Sequence, residues 1–459
     1  MILILFLCPA CEIPTTTTTT TASVETTTTA VVQTDLINPE DLRYLGAFRL
    51  PERAAGAPNE ECWEYSGQAL AYYPDGDPGG EGDGYPGSLF GTGHDVHNYV
   101  SEISIPAPST SRDLEQLNVA TTLQGFHDIR GGLFDSFNEM PRVGLEYLPA
   151  QSGQTSAKLY MAWGQHHHDE GSPSDTASHA WCDIDLSNPN TQGAWWVGDE
   201  SLYSVNGYMF TIPQEWANTY TGGAMLATGR YRDGGWSGRG PTIFAIAPWL
   251  DGNPPPSEAN LTAYTLLLYS GYENEDDFRL NNYHDSDEWE GGAWITSGDR
   301  TAVVFIGTKG GGDYWWYGYA SPEGDGMPCV NVSPVDGAMC FNSDGTECPS
   351  SLSVDCHGES YKGWWSSRFD AQMIFYDPAD FAAVINGTME PHEPQPYATL
   401  DIDEHLFLNT TIEPVNLGSG DQRRFRIGET AYDRERGFLY VRELFADGPQ
   451  TVVHVWSVQ

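Results

Sequence analysis

The chain ends in Ile427-Gly428-Glu429-Thr430-Ala431-Tyr432, Phe438-Leu439-Tyr440-Val441-Arg442-Glu443 and Val452-Val453-His454-Val455-Trp456-Ser457-Val458. This is a three-part phrase: a small-residue strand, a second apolar run and a third. It occurs four more times. The first strands are Gly67–Tyr72, Val143–Tyr147, Asn206–Phe210 and Gly291–Ile295. Second runs follow at Ser88–Gly93, Lys158–Gly164, Ala224–Gly229 and Ala302–Gly307, and third runs at Tyr99–Pro106, His179–Leu186, Thr242–Trp249 and Ala371–Pro378. A unit of three or four short strands recurring at tens of residues signals radial or linear repetition of one β-sheet.

Each unit needs a fourth, outermost strand, and candidates lie between the phrases at 119–123, 194–197, 261–269 and 398–407. The last phrase has none after it. A matching strand sits at the other end, in Leu42-Arg43-Tyr44-Leu45-Gly46-Ala47-Phe48-Arg49-Leu50. An N-terminal strand that completes the C-terminal sheet closes a ring and removes free strand edges. An open solenoid would instead need two capping ends. The sequence therefore predicts a single all-β domain, a five-bladed β-propeller over residues 39–459. Six or seven blades is the alternative, should 310–367 hide a degenerate one.

Composition agrees. The 459 residues are 39% hydrophobic and 12% aromatic, which suits strands, and 50 Gly with 30 Pro punctuate many short ones. Net charge is -43, from 21 basic against 64 acidic residues. Nucleic acid is excluded as a partner, since phosphate binding needs a basic footprint. A solvated acidic surface is the simplest reading of the charge. The run Asp75-Gly76-Asp77-Pro78-Gly79-Gly80-Glu81-Gly82-Asp83 offers oxygen ligands of the kind calcium takes. It lacks the acidic or amide fifth position and the Glu at the twelfth.

Residues 1–11 read as an export signal: Met1 to Leu7 is apolar but too short to span a bilayer. Leu7-Cys8-Pro9-Ala10-Cys11 resembles a bacterial lipoprotein signal with Cys11 as the lipidated residue, although Cys8 and Pro9 depart from the usual pattern. Residues 12–38 carry threonine runs at 15–21 and 26–29, a composition that cannot bury apolar surface and reads as a disordered linker. The expected location is extracellular or cell-surface, with membrane contact only through the lipid. Cys329, Cys340, Cys348 and Cys356 crowd into an insertion at about 319–362. In an exported chain they read as two local disulfides, with a further Cys62–Cys182 bridge. A zinc site is the competing reading for the four, but they contain no CxxC pair.

The closing segment Ala431-Tyr432-Asp433-Arg434-Glu435-Arg436-Gly437-Phe438-Leu439-Tyr440-Val441 looks like the strand–turn–strand of many bacterial propeller repeats. Over residues 42–458 the chain resembles secreted bacterial β-propeller proteins, whose roles are largely uncharacterised. That resemblance implies the fold, export and a ligand-binding central face. It carries no reaction with it.

In a propeller blade the innermost strand starts at one face and the second strand returns to it. Residues flanking those turns should ring one mouth of the channel. They include His94 and Asp95, Arg142, His166 in the run Gln165–Glu170, Arg230 and Tyr231, Glu290, Lys309, Arg426, and Arg442. Basic groups gathered there in so acidic a chain point to an anionic or hydroxyl-rich ligand. Glu290, nearest its strand, is the candidate for acid–base work, with His94, Asp95 and Tyr231 as the other catalytic candidates. Each has a plainer role: a hydrogen bond between blades for His94, and an ion pair with Arg230 or Lys309 for Glu290.

Two function classes follow. One is a carbohydrate-active enzyme: a lyase using arginine against a uronate with a Tyr or His base, or a glycoside hydrolase with Asp95 and Glu290 as its carboxyl pair. The other is a non-catalytic surface module that binds glycan, anion or protein at the same mouth. No GxSxG, Walker loop, dinucleotide fingerprint or HExxH occurs.

Overall fold

The computed structural model describes residues 35–137, 140, 142–164, 177–200, 202–230, 239–269, 278–284, 286–315, 329–331, 338–340, 366–409 and 420–459. Five sheets, each built on four antiparallel strands, make a five-bladed β-propeller. Blade 1 runs outward as Leu70–Tyr73, Ser88–Thr92, Val100–Ser104 and Thr122–His127. Blade 2 is Val143–Leu148, Lys158–Trp163, His179–Cys182 and Gln192–Val197, and blade 3 is Tyr208–Thr211, Leu226–Gly229, Ile243–Ile246 and Ala263–Leu267. Blade 4 is Glu288–Ser297, Arg300–Trp315, Ser366–Tyr376 and Ala398–Asp401.

Blade 5 takes Ile427–Asp433, Phe438–Asp447 and Gln450–Val458 from the end of the chain and its outer strand, Leu42–Arg49, from the beginning. Leu42 pairs with Val458 and Arg49 with Val452, antiparallel, with one irregularity at Tyr44–Gly46. The closure expected from the sequence is therefore present. Each inner strand packs beside the next, and blade 5's packs beside blade 1's, so the ring is complete.

Among the described residues there is no sixth blade. Beyond blade 4's long second strand lies only a two-stranded ribbon, in which Cys329 stands opposite Cys340. The predicted outer strand at 119–123 forms a few residues later, at Thr122–His127, because Val119 and Ala120 are engaged by Arg49 of the closing strand. A short segment, Asn260–Leu261, adds to the outside of blade 2 in parallel with Trp196 and Val197.

The core lies between the blades. One apolar cluster joins blades 1 and 2 through Phe90, Val143, Leu145 and Met161, and another joins blades 4 and 5 through Ile295, Val304, Ile427 and Val441. Full burial of one such side chain contributes roughly 1.5–3 kcal/mol. The small residues of the inner strands answer to crowding at the axis. A Cβ on Gly428 would lie 2.4 Å from the Gly67 carbonyl oxygen, and one on Gly291 would lie 1.8 Å from Thr430 Oγ1.

Two cysteine expectations meet the structure differently. Cys62 and Cys182 are not bridged; both are buried free thiols. Cys62 sits ahead of blade 1, its Sγ 3.1 Å from the Asn59 carbonyl, whereas Cys182 is packed in the apolar cluster between blades 1 and 2. Cys348, Cys356 and the lipidation candidate Cys11 lie outside the described residues, as do most of residues 1–38.

Candidate functional site at the channel mouth

The start of each inner strand lies opposite its neighbour at one end of the blade: Leu70 faces Gly91, Val143 faces Trp163, Tyr208 faces Gly229, Glu288 faces Thr308 and Ile427 faces Glu443. These five pairs define one mouth, called upper here. In blades 4 and 5 the register slips just inside it, between Glu288 and Gly291 and between Ile427 and Thr430. Such bulges re-aim side chains. Here they carry Glu290 and Glu429, both buried.

Arg142, at the head of blade 2, joins the two sides of the mouth. Its Nε lies 2.5 Å from Glu290 and its Nη2 3.1 Å from Glu288, both on blade 4. Blade 3 stands between these blades in the ring, so the pair reaches across the opening. Burial pushes the Glu290 carboxyl up to about 8; Arg142 opposes the rise and Glu288 adds to it. The rise favours the neutral acid over the carboxylate. Asp95, on the rim of blade 1, is also raised, first by burial, with His94 and Arg142 pulling it down. His94 Nδ1 is 3.0 Å from Asp95 Oδ1 and also accepts from the Val96 N–H. Glu290, Glu288, Arg142, Asp95 and His94 form one electrostatic group drawn from three blades.

Three of the other expected cations, Lys309, Arg426 and Arg442, are held by internal acceptors. Lys309 Nζ reaches both Asp287 oxygens at 2.8 Å, and the Gly310 N–H donates to the same carboxylate. Arg426 pairs with Asp403 at 2.6 Å and donates to the Arg423 carbonyl. Arg442 is fully buried beneath the ring of Trp63 and donates to the Ala69 and Thr92 carbonyls of blade 1. Burial lowers it to about 9, with Glu429 opposing. It joins blades 5 and 1 and does not line the mouth. Arg230 is buried at the end of blade 3's second strand, where its own N–H donates to Thr242 Oγ1 and its carbonyl accepts from Tyr208. His166 and Tyr231 lie outside the described residues.

Three groups escaped sequence reasoning. Arg423 and Arg424 are buried beside Arg426, over the rings of Phe445 and Phe425. Only Arg426 adjoins a strand, so spacing gave no cue to the other two. Glu146, in the middle of blade 2's inner strand, was visible as a lone charge in an apolar run. Its channel-facing position follows from the ring, not from local pattern.

For metals, Asp77 and Asp83 of the acidic loop already accept backbone N–H groups of Gly79 and Tyr85. Among the described residues, three acids approach each other closely only at Asp370, Asp401 and Asp403. Arg368 and Arg426 neutralise two of those.

Comparison with known proteins adds no argument about function. No family model and no curated protein matches the chain. Among solved structures it is similar to the β-propeller domain of Cps50 (Swd1) from Myceliophteria thermophila. That likeness has 10% identity over 91% of this chain and 100% of that one, with a TM-score of 0.25.

Proposed function

We propose that the upper mouth binds a hydroxyl-rich ligand of the carbohydrate class, in an exported and surface-tethered protein, and that Glu290 serves there as a proton donor. The observation that carries this reading is the Arg142–Glu288–Glu290 group spanning the opening, with the Glu290 carboxyl raised by burial. Internal acids compensate Arg142, Lys309 and Arg426, which lowers the positive charge that would favour an anion over a neutral glycan. Hydroxyls both donate and accept, which suits a mixed set of carboxyl, carboxylate and imidazole. With turnover, Glu290 would protonate the departing glycosidic oxygen while water adds to the anomeric carbon, its proton taken by Asp95.

A panel of neutral and uronate-containing polysaccharides tests this, read for binding by calorimetry and for products by chromatography. Binding of neutral glycans is expected, with Glu290→Gln abolishing turnover and sparing affinity. Unsaturated products from uronates would replace hydrolysis by elimination. Failure to bind across the panel would sink the reading. It would turn attention to protein partners, for which the 68% exposed Val96 between His94 and His97 offers an apolar contact.

A further inference from the structure

The opposite end of the channel holds a cavity of about 30 Å³. Four blades line it: Glu146 from blade 2, Phe210 and Thr211 from blade 3, Gly292 to Trp294 from blade 4, and Thr430 to Arg434 from blade 5. It is separate from the upper mouth and independent of the glycan reading.

Its polar groups are not satisfied by one another. Thr430 is 2% exposed, yet its Oγ1 has no hydrogen-bond partner. Arg434 Nη2 donates to the Thr211 carbonyl at 2.7 Å and the Trp294 carbonyl at 3.3 Å, but its Nε is shielded from solvent and unpaired. Glu146 accepts from the Thr211 hydroxyl. Arg434 and Glu146 feel each other's charge without touching, with the cavity between them. Both keep part of their surface accessible, which leaves a way in. Buried donors without acceptors are costly, and native proteins rarely leave them unpaired.

We propose that this cavity binds one small monovalent anion, of the size of chloride or formate, held by Arg434 Nε, Thr430 Oγ1 and the carboxyl of Glu146. The volume admits two or three atoms. Two of the groups are donors, and the carboxyl becomes a third when it carries a proton.

The charge balance selects the anion. Burial raises Glu146 to about 7, with Thr211 and Arg434 opposing. The titratable groups around it are Arg434 and Tyr432 of blade 5 and, further up that strand, Glu429. The lining residues of blades 3 and 4 carry none. Burial raises the Glu429 carboxyl well above its ordinary value, with Glu290 and Glu146 adding to the rise. Below about pH 7 the Arg434 guanidinium is therefore the one formal charge at this end among the described lining groups. An anion compensates it, and above that pH Glu146 takes up a proton as the anion enters.

Thermal unfolding at constant ionic strength, exchanging gluconate for formate or chloride, tests the site, with chloride-35 line broadening as a direct readout. The wild-type protein should show saturable stabilisation whose Kd weakens about tenfold per pH unit above 7, as uptake of one proton requires. Glu146→Gln should bind with no such pH dependence, since an amide N–H replaces the acid O–H. Arg434→Gln should lose the response; because Arg434 also braces two carbonyls, Thr430→Val provides a gentler second variant, expected to weaken binding several-fold. A wild-type protein without saturable response overturns the proposal, as do Arg434→Gln and Thr430→Val proteins that both fold and respond as wild type.

Discussion

The two ends of the channel use the same residue types to opposite effect. At the upper mouth, Arg142 touches Glu288 and Glu290 directly, and Lys309 touches Asp287. At the lower end, Arg434 and Glu146 face each other across a void. The difference traces to the backbone. Upper acids stand on loops and bulges, which have freedom to bring a carboxylate onto its partner. Glu146 sits mid-strand in regular pairing with Tyr160, so its Cβ direction is fixed by the pleat. A contact pair braces the mouth it lines; a separated pair leaves a gap between its charges.

If that contrast holds, removing the upper cation should give the largest loss of stability. Arg142→Met leaves two buried acids without their counter-ion, a change that costs about 3–5 kcal/mol in comparable buried pairs. The loss should be greatest at pH 9, where both carboxyls would be ionised, and should shrink as acid protonates them. Urea unfolding at pH 6 and pH 9 measures it. A flat, small effect at both would mean the contact pair is not a brace.

Next comes the waist that separates the ends. Gly428→Val drives a side chain onto the Gly67 carbonyl between blades 5 and 1, where little can move aside. Overpacking of this kind typically costs about 1–3 kcal/mol, and the rigid backbone partner places this site at the upper end. Unchanged stability by urea titration would show that the axis is looser than its packing implies.

The pH dependence separates the ends from the blade interior. Glu290 rises from 4.5 to about 8, so the native state keeps a proton that the unfolded chain releases. Its stabilisation is full below pH 4.5 and is lost as pH climbs through 8. The slope reaches about 1.4 kcal/mol per pH unit. Fully buried His179 falls from 6.5 to about 3 by burial, so its share is present above pH 6.5 and lost as pH drops towards 3. Together they give a stability plateau between about pH 4.5 and 6.5, falling on either side. Glu290→Gln should flatten the alkaline limb alone, and His179→Gln the acid limb alone; calorimetric melting from pH 4 to 9 reads both.

How much of this was legible in the chain depends on the range of the interactions. Blade number and closure were readable because strand period and the Leu42–Leu50 match are local patterns, and one copy checks another. The upper mouth followed from topology, which placed Arg142, Asp95 and Glu290 at strand ends before any side chain was known. Their pairing was not readable. Glu290 was expected to meet Arg230 or Lys309, but the bulge after Glu288 turns it towards Arg142, two blades away. Arg442 failed as a mouth residue for a simpler reason. Side chains alternate along a strand, and its neighbour Glu443 takes the opposite side, with His454 and the Phe407 and Leu408 N–H groups. The lower cavity has no local signature, since four blades contribute to it.

The smallest expected effect sharpens the comparison most, because it uses one chemical change at both ends. Thr308 and Thr430 are each 2% exposed. Thr308 Oγ1 accepts from the Arg426 N–H at 3.0 Å and lies 3.4 Å from that of Ile427, whereas Thr430 Oγ1 has no partner. Thr308→Val strands a buried donor and should cost about 1–2 kcal/mol, while Thr430→Val replaces an idle hydroxyl and should change stability by about 0.5 kcal/mol or less. Formate should enlarge the second penalty without touching the first, since only the lower threonine then has something to bind. Equal penalties in gluconate, measured by urea unfolding, would mean that the lower hydroxyl is already satisfied and that the two ends are alike.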